Sequence, residues 1–197
     1  MSVHCTDGFC TEDELAELRC CLLSRYNIDS DRVSSDPKDR YIQPLVASEI
    51  PCVKRIVEKA LAYVISKTSE SNLCFINTKG AVALITAAYG VERHQSWHRD
   101  TRFKGYTVCI PLVHVTENNG CTEILMKSTR TTVSRWRRHI KRSKKVTCTA
   151  GSIYIFNSQL LHRERLNTTR QTRPVLCLHI TPPAKLFYSD DTNWEST

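Results

Sequence analysis

Gln95-Ser96-Trp97-His98-Arg99-Asp100 is the stretch on which the reading of this chain turns. It lies between two runs of strand-like composition, 81–89 and 106–113, and in an extended segment residues two apart project to the same side. His98 and Asp100 are therefore expected to aim at one point. An imidazole and a carboxylate so placed make two corners of the two-histidine, one-carboxylate face that binds Fe(II) and leaves positions for oxygen and a co-substrate. The missing histidine is sought downstream, where the apolar run Tyr154-Ile-Phe-Asn-Ser-Gln-Leu-Leu-His162 ends in an imidazole and Arg173 follows just before Pro174. Taken alone, His-x-Asp is a spacing that a hydrogen-bonded surface pair also produces.

Working outward, short strand-like runs follow one another at 73–76, 81–89, 106–113, 122–126, 153–157 and 175–181, with turn signals at Asn118-Asn-Gly120 and Ala150-Gly-Ser152. Before them the periodicity is helical. Thr11-Glu-Asp-Glu14 has capping-box spacing, and Leu15, Leu18, Leu22 and Tyr26 continue it as an apolar stripe, predicting a helix over 12–26. A polar stretch, 29–40, ends it. A second helix is expected from Ser48, with Pro51 in its first turn and Val53, Ile56, Val57, Ala60, Leu61 and Val64 on one face. Helices followed by many short strands predict an α+β, mainly β chain: a closed or double-sheet β architecture braced by N-terminal helices.

At 197 residues the chain is expected to form a single domain over 1–197, with 1–70 as helical support, 71–185 as the β core and 186–197 as an irregular tail. No apolar run reaches the roughly 18 residues of a membrane span. Met1-Ser-Val-His-Cys-Thr-Asp-Gly8 has neither a basic nor an apolar leader region, so a cytoplasmic location and no membrane partner are expected. The ten cysteines include no Cys-x-x-Cys, and Cys109 and Cys177 fall inside apolar runs; free thiols are the expectation. The net charge of +8 is local. Residues 127–145 carry nine Lys or Arg and no Asp or Glu, and without them 19 basic residues face 20 acidic ones.

From Gln95 to the end of the last strand the sequence resembles the phytanoyl-CoA dioxygenase-like branch of the Fe(II)/2-oxoglutarate oxygenases. Tyr106-Thr-Val-Cys-Ile-Pro-Leu-Val-His-Val-Thr-Glu-Asn-Asn-Gly120 is similar to that family's strand and Asn-Gly turn after its His-x-Asp. Ala150-Gly-Ser-Ile-Tyr-Ile-Phe-Asn-Ser-Gln-Leu-Leu-His162 resembles the strand delivering its second histidine, and Arg173-Pro-Val-Leu176 its terminal arginine strand. The resemblance implies a double-stranded β-helix, a jelly roll of cupin type. It further implies iron ligation by His98, Asp100 and His162, and pairing of Arg173 with the distal carboxylate of 2-oxoglutarate. A guanidinium offers a fixed planar fork for that task. Oxygen would be consumed, succinate and CO2 released, and a small organic substrate hydroxylated, with ascorbate as an auxiliary reductant. Halogenating relatives lack the carboxylate ligand, so Asp100 speaks against halogenation. The chain departs from the family at Gly151-Ser152, where Gly-Asp is usual, and at Met126-Lys-Ser-Thr129, where many members have Pro-Gly-Ser-His.

Trp97 and Arg99, beside the ligands, are candidate substrate contacts. His94 stands four residues before His98, a helical spacing in a stretch that reads as strand and loop; His114 and His139 lack a partner at ligand spacing; and His179, on the same strand face as Arg173, lies six residues, roughly 20 Å, further along. The basic insertion 127–145, with a helix expected around 134–140, has three readings: attraction of an anionic substrate such as a coenzyme A thioester, nucleic-acid binding through Trp136 and the arginines, or a solvated loop. A non-catalytic binding module on an oxygenase scaffold, using that insertion to hold nucleic acid or another polyanion, is the alternative to the enzyme reading. Oligomeric state is not legible.

Overall fold

The computed structural model describes residues 3–25, 40–68, 70, 73–75, 82–87, 94–101, 104–129, 143–169 and 171–182. The helix expected around 134–140, His139, Trp136, most of the basic insertion and the 186–197 tail lie outside them.

Two antiparallel sheets and two helices make up the described fold, a double-stranded β-helix of the jelly-roll, cupin-like kind. In chain order the elements are β1 (His4–Thr6), α1 (Glu12–Arg25), β2 (Arg40–Pro44), α2 (Pro51–Thr68), β3 (Cys74–Phe75), β4 (Val82–Ala87), β5 (Tyr106–Pro111), β6 (Thr122–Leu125), β7 (Ser143–Val146), β8 (Ile153–Asn157), β9 (His162–Glu164) and β10 (Arg173–Thr181). Among the described residues the major sheet runs β1-β8-β5-β10-β4-β2, with β3 pairing the end of β10, and the minor sheet runs β7-β6-β9. The first 70 residues are thus more than helical support: β1 and β2 close the two edges of the major sheet.

Helix α1 begins as its capping box predicts. The Thr11 N–H donates to Glu14 Oε2 at 2.8 Å, and the Glu14 N–H donates back to Thr11 Oγ1 at 3.2 Å. Helix α2 starts at Pro51 rather than Ser48, which falls in a short 3-10 turn, Ala47–Glu49. Proline at the first helical position loses no hydrogen bond, because that N–H has no partner within a helix.

Alternation along the three central strands decides which residues face the site. Tyr106, Val108 and Ile110 of β5, Ile153 and Ile155 of β8, and Leu176, Leu178 and Ile180 of β10 join Leu15, Leu18, Leu22, Val53, Ile56, Val57, Ala60 and Val64 of the helices in one buried cluster. Each such Val, Leu or Ile side chain contributes roughly 1.5–3 kcal/mol by leaving water. The residues between them, Cys109, Tyr154, Phe156, Val175 and Cys177, turn to the other face and meet Ile124 and Val146 of the minor sheet. Both faces of the major sheet are therefore covered, which is why β5 is buried along its whole length. Gly105 lets β5 enter this sheet: a Cβ there would lie 2.7 Å from the Ile180 carbonyl oxygen.

Two strands escape the sequence reading. β7 occupies the end of the basic insertion, where Lys144 and Lys145 point to solvent and Val146 inward. β9 is a separate strand: the chain leaves the major sheet after Asn157, turns through 158–160 and enters the minor sheet at His162. Cys5, Cys10, Cys20, Cys21, Cys52, Cys109, Cys121, Cys148 and Cys177 are free thiols, and Cys109 and Cys177 face each other across β5 and β10 with sulfurs 3.4 Å apart. Among the described residues no helix is long and apolar enough to cross a membrane.

Candidate metal centre

His98 sits on an extended segment that joins the free edge of β9. His98 and His162 exchange both backbone N–H···O bonds, each 3.0 Å, as an isolated antiparallel bridge. Residues paired this way present their side chains on one face. The two rings accordingly lie 4.3 Å apart between centroids. Asp100 arrives at the same point because its N–H donates to the Ser158 carbonyl at 3.2 Å, tying it to the turn that follows β8. His98 Nε2 is then 3.8 Å and His162 Nε2 3.2 Å from Asp100 Oδ1, and the three candidate ligand atoms all fall within 4.8 Å of one another.

The atoms turned away from that point are already engaged. His98 Nδ1 lies 3.0 Å from the Ser96 carbonyl oxygen and His162 Nδ1 3.0 Å from that of Leu160. A carbonyl only accepts, so each Nδ1 carries the proton and each Nε2 presents its lone pair to the centre, the arrangement metal-binding imidazoles adopt. Thr107 Oγ1 donates to Asp100 Oδ2, leaving Oδ1 for the centre, and lies 3.1 Å from Ser158 Oγ. Phe156 packs edge-on against His162 at 4.8 Å. Exposure grades across the set: the His98 side chain is 35% accessible, Asp100 11% and His162 7%, so solvent reaches the centre from the His98 side.

Electrostatics follow from burial and from these neighbours. Burial, and then His162, lower the His98 pKa. For His162 burial acts in the same sense, but the Asp100 carboxylate outweighs it and the net shift is upward. Burial alone would raise Asp100, yet His162, His179 and His98 together hold it well below the usual carboxylate range. Two imidazoles and one ionised carboxylate on a common point are a donor set for a first-row divalent metal.

Arg173 opens β10 on the inner face of the major sheet, fully buried. Its Nη2 pairs with Glu164 Oε1 at 2.7 Å. Its Nε and Nη1 are buried without a hydrogen-bond partner among the described residues. Burial lowers the guanidinium's pKa, and the Glu164 carboxylate more than offsets this, so it remains a cation. Tyr154, fully buried and hydrogen-bonded to the Thr122 hydroxyl at 3.0 Å, faces the same interior.

The Phytanoyl-CoA dioxygenase (PhyH) family model matches residues 53–175, well over half of the sequence. The chain belongs to the phytanoyl-CoA dioxygenase family. No curated protein sequence matches it. Among solved structures, HygX from Streptomyces hygroscopicus with nickel and 2-oxoglutarate bound is similar at a TM-score of 0.70 and 13% identity, over 92% of this chain and 83% of that one. EctD from S. alaskensis, with 2-oxoglutarate and 5-hydroxyectoine, is similar at a TM-score of 0.71 and 17% identity, over 92% and 72%. The non-heme alpha ketoglutarate dependent epimerase SnoN from nogalamycin biosynthesis has a TM-score of 0.70 at 14% identity, over 99% and 86%. At such identities the likeness is one of fold.

Within this family fold, the two residues expected to touch substrate have other contacts. Trp97 is buried against Leu125 and Leu161, with the Arg163 guanidinium 4.6 Å from its ring centroid, because its neighbour His98 takes the inward position of the extended segment. Arg99 donates from Nε to the Gln159 carbonyl and from Nη2 to that of Ser128, both at 2.7 Å, and so clamps two loops. His94 Nδ1 accepts from the Leu166 N–H at 2.9 Å, and His114 Nδ1 from that of Ala150 at 3.3 Å.

His179 requires a correction. It is far from Arg173 along β10, but the centre is not at Arg173: His179 stands opposite Thr107 in the β5–β10 register, Thr107 holds Asp100, and the His179 charge acts on that carboxylate. Glu164 and Thr107 also went unread. The signal for Glu164 was present, since it lies two residues beyond His162 just as Asp100 lies two beyond His98. Thr107 needed the strand register.

Proposed function

We propose that this chain is an Fe(II)- and 2-oxoglutarate-dependent dioxygenase that hydroxylates a small organic substrate, with His98 Nε2, Asp100 Oδ1 and His162 Nε2 holding the iron. The observation that carries this reading is the convergence of those three atoms within 4.8 Å while both Nδ1 atoms are committed to carbonyls. Iron on such a face, with oxygen and the oxoacid, supplies the oxidising chemistry and yields succinate and CO2.

The chain's own residues bind, orient and shield. Arg173 offers two buried, unbonded nitrogens as a fork for the distal carboxylate of 2-oxoglutarate. Thr107 steadies Asp100, and Phe156 fixes the plane of the His162 ring. Leu160, Leu161 and Phe156 keep water from the protected side, while the half-exposed His98 marks the side from which substrate enters. Lys144, exposed on β7, and Lys127 after β6 belong to the basic insertion and favour an anionic substrate, whereas Lys145 is already paired with Glu117.

The test is oxygen-dependent release of succinate from 2-oxoglutarate by purified protein reconstituted with Fe(II) and ascorbate. Turnover, uncoupled or stimulated by an anionic substrate, is expected, with none in Asp100→Ala. A wild-type protein that binds no iron and yields no succinate overturns the reading.

A further inference from the structure

Strand β9 brings a second functional group to the interior between the two sheets. Its period of two turns His162 and Glu164 inward, while Arg163 between them turns out to pair with Glu123 at 2.8 Å. From the opposite sheet Arg173 also points inward, and the two meet at 2.7 Å. The Glu164 carboxylate is close enough to act on the charges of His98, His162 and Arg173 alike. It therefore shares the inward face of β9 with His162 and reaches the guanidinium from there.

We infer that Glu164 is an internal competitor for the distal carboxylate of 2-oxoglutarate and sets how weakly the chain holds this co-substrate. The inference rests on the function proposed above. A guanidinium has five N–H donors, and Glu164 engages it at Nη2 alone, so one edge of the fork still accepts a second carboxylate. What changes is charge. Two carboxylates on one buried cation repel each other, and like charges brought together in a desolvated site are strongly disfavoured. The co-substrate consequently binds against a charge that the neutral Glu164→Gln side chain, of the same shape and with the same Oε1 acceptor, does not present.

The full-length protein, loaded anaerobically with Fe(II), is titrated calorimetrically with 2-oxoglutarate and with 2-oxovalerate, which has a methyl group in place of the distal carboxylate. Glu164→Gln is expected to tighten 2-oxoglutarate binding about tenfold, about 1.4 kcal/mol, and to leave 2-oxovalerate within about twofold. A residue that only anchors Arg173 gives the opposite: weaker or unchanged 2-oxoglutarate binding by the folded variant, an outcome that overturns the inference alone. Equal tightening toward both oxoacids also overturns it, because the effect then does not pass through Arg173. Should Glu164→Gln fail to fold, Glu164→Asp, whose shorter side chain withdraws the charge from Nη2, is expected to show the same selectivity at smaller size, and its absence there is equally fatal. If wild type and variants bind Fe(II) but no 2-oxoglutarate, the proposed function fails, and this inference with it.

Discussion

The two ends of the proposed site are prepared in different ways. At the candidate metal end, each of the three side chains is held by a group that takes nothing from the centre: carbonyls on the two Nδ1 atoms, the Thr107 hydroxyl on Asp100 Oδ2. At the arginine end the cation is matched by Glu164, which turns inward from the opposite sheet. The physical reason lies in what has to be buried. Two imidazoles and one hydrogen-bonded carboxylate offset one another in the interior, whereas an unpaired guanidinium at zero exposure costs several kcal/mol. One end is preorganised and the other is compensated.

Breaking the compensation should have the largest effect. Arg173→Ala leaves the Glu164 carboxylate buried without its cation and is expected to destabilise the fold by about 3–5 kcal/mol, read from urea unfolding. Arg173→Met combined with Glu164→Gln removes both charges and should recover most of that loss. A double variant no more stable than Arg173→Ala would mean the pair is not what the interior is built around.

Next in size is the metal end itself. Asp100→Ala removes a ligand and should weaken Fe(II) or Mn(II) binding by more than about a hundredfold in anaerobic titrations, since partners standing behind a ligand are already worth about 10–100-fold. Thr107→Val keeps the shape and deletes the hydroxyl behind Asp100, so a loss of about tenfold is expected, with 2-oxovalerate and 2-oxoglutarate affected alike. That parallel loss is the mirror of the selective effect expected at Glu164. If Thr107→Val separated the two oxoacids, the ends would not be independent.

The same contrast explains what the sequence disclosed. The metal end is written locally: His98 and Asp100 are two apart, and His162 and Arg173 stand in an order that resembles the family's. The β10 strand was legible in the largely apolar run 175–181 and in Pro174, which biases Arg173 toward an extended conformation, while a role for the arginine came from the resemblance alone. What escaped depends on pairing between distant strands. His179 comes opposite Thr107, the residue that holds Asp100, only through the β5–β10 register, and spacing along one strand does not reach across to the next. β7 hid behind its lysines, since an edge strand carries charge on its solvent side and Ser143-Lys-Lys-Val146 reads as part of a basic loop. β9, three residues long, gives no periodic signal at all.

The smallest effect is the one that tests whether the cavity is insulated from its support. Helix α1 packs on the face of the major sheet opposite the centre, and its start is fixed by Thr11 and Glu14. Thr11→Ala should cost about 1 kcal/mol, the usual worth of a cap, and lower Tm by about 2–4 °C in a chain of this size. Glu14 adds a pH signature: the Lys59 ammonium first, and then the Thr11 N–H, hold its pKa below the ordinary carboxylate value. A lowered folded pKa means stability present above the unfolded pKa, about 4.3, and lost as pH falls through the folded one. Glu14→Gln should therefore flatten the acid limb of the stability curve slightly, the pair being partly solvated. Neither change should alter Fe(II) or 2-oxoglutarate affinity, because Val108, Ile110, Leu176 and Leu178 stand between the helix and the inward residues of the same strands. A shift in either affinity beyond about twofold would mean that the helix sets the spacing of β5 and β10, and through Thr107 and Arg173 the distance between the two ends.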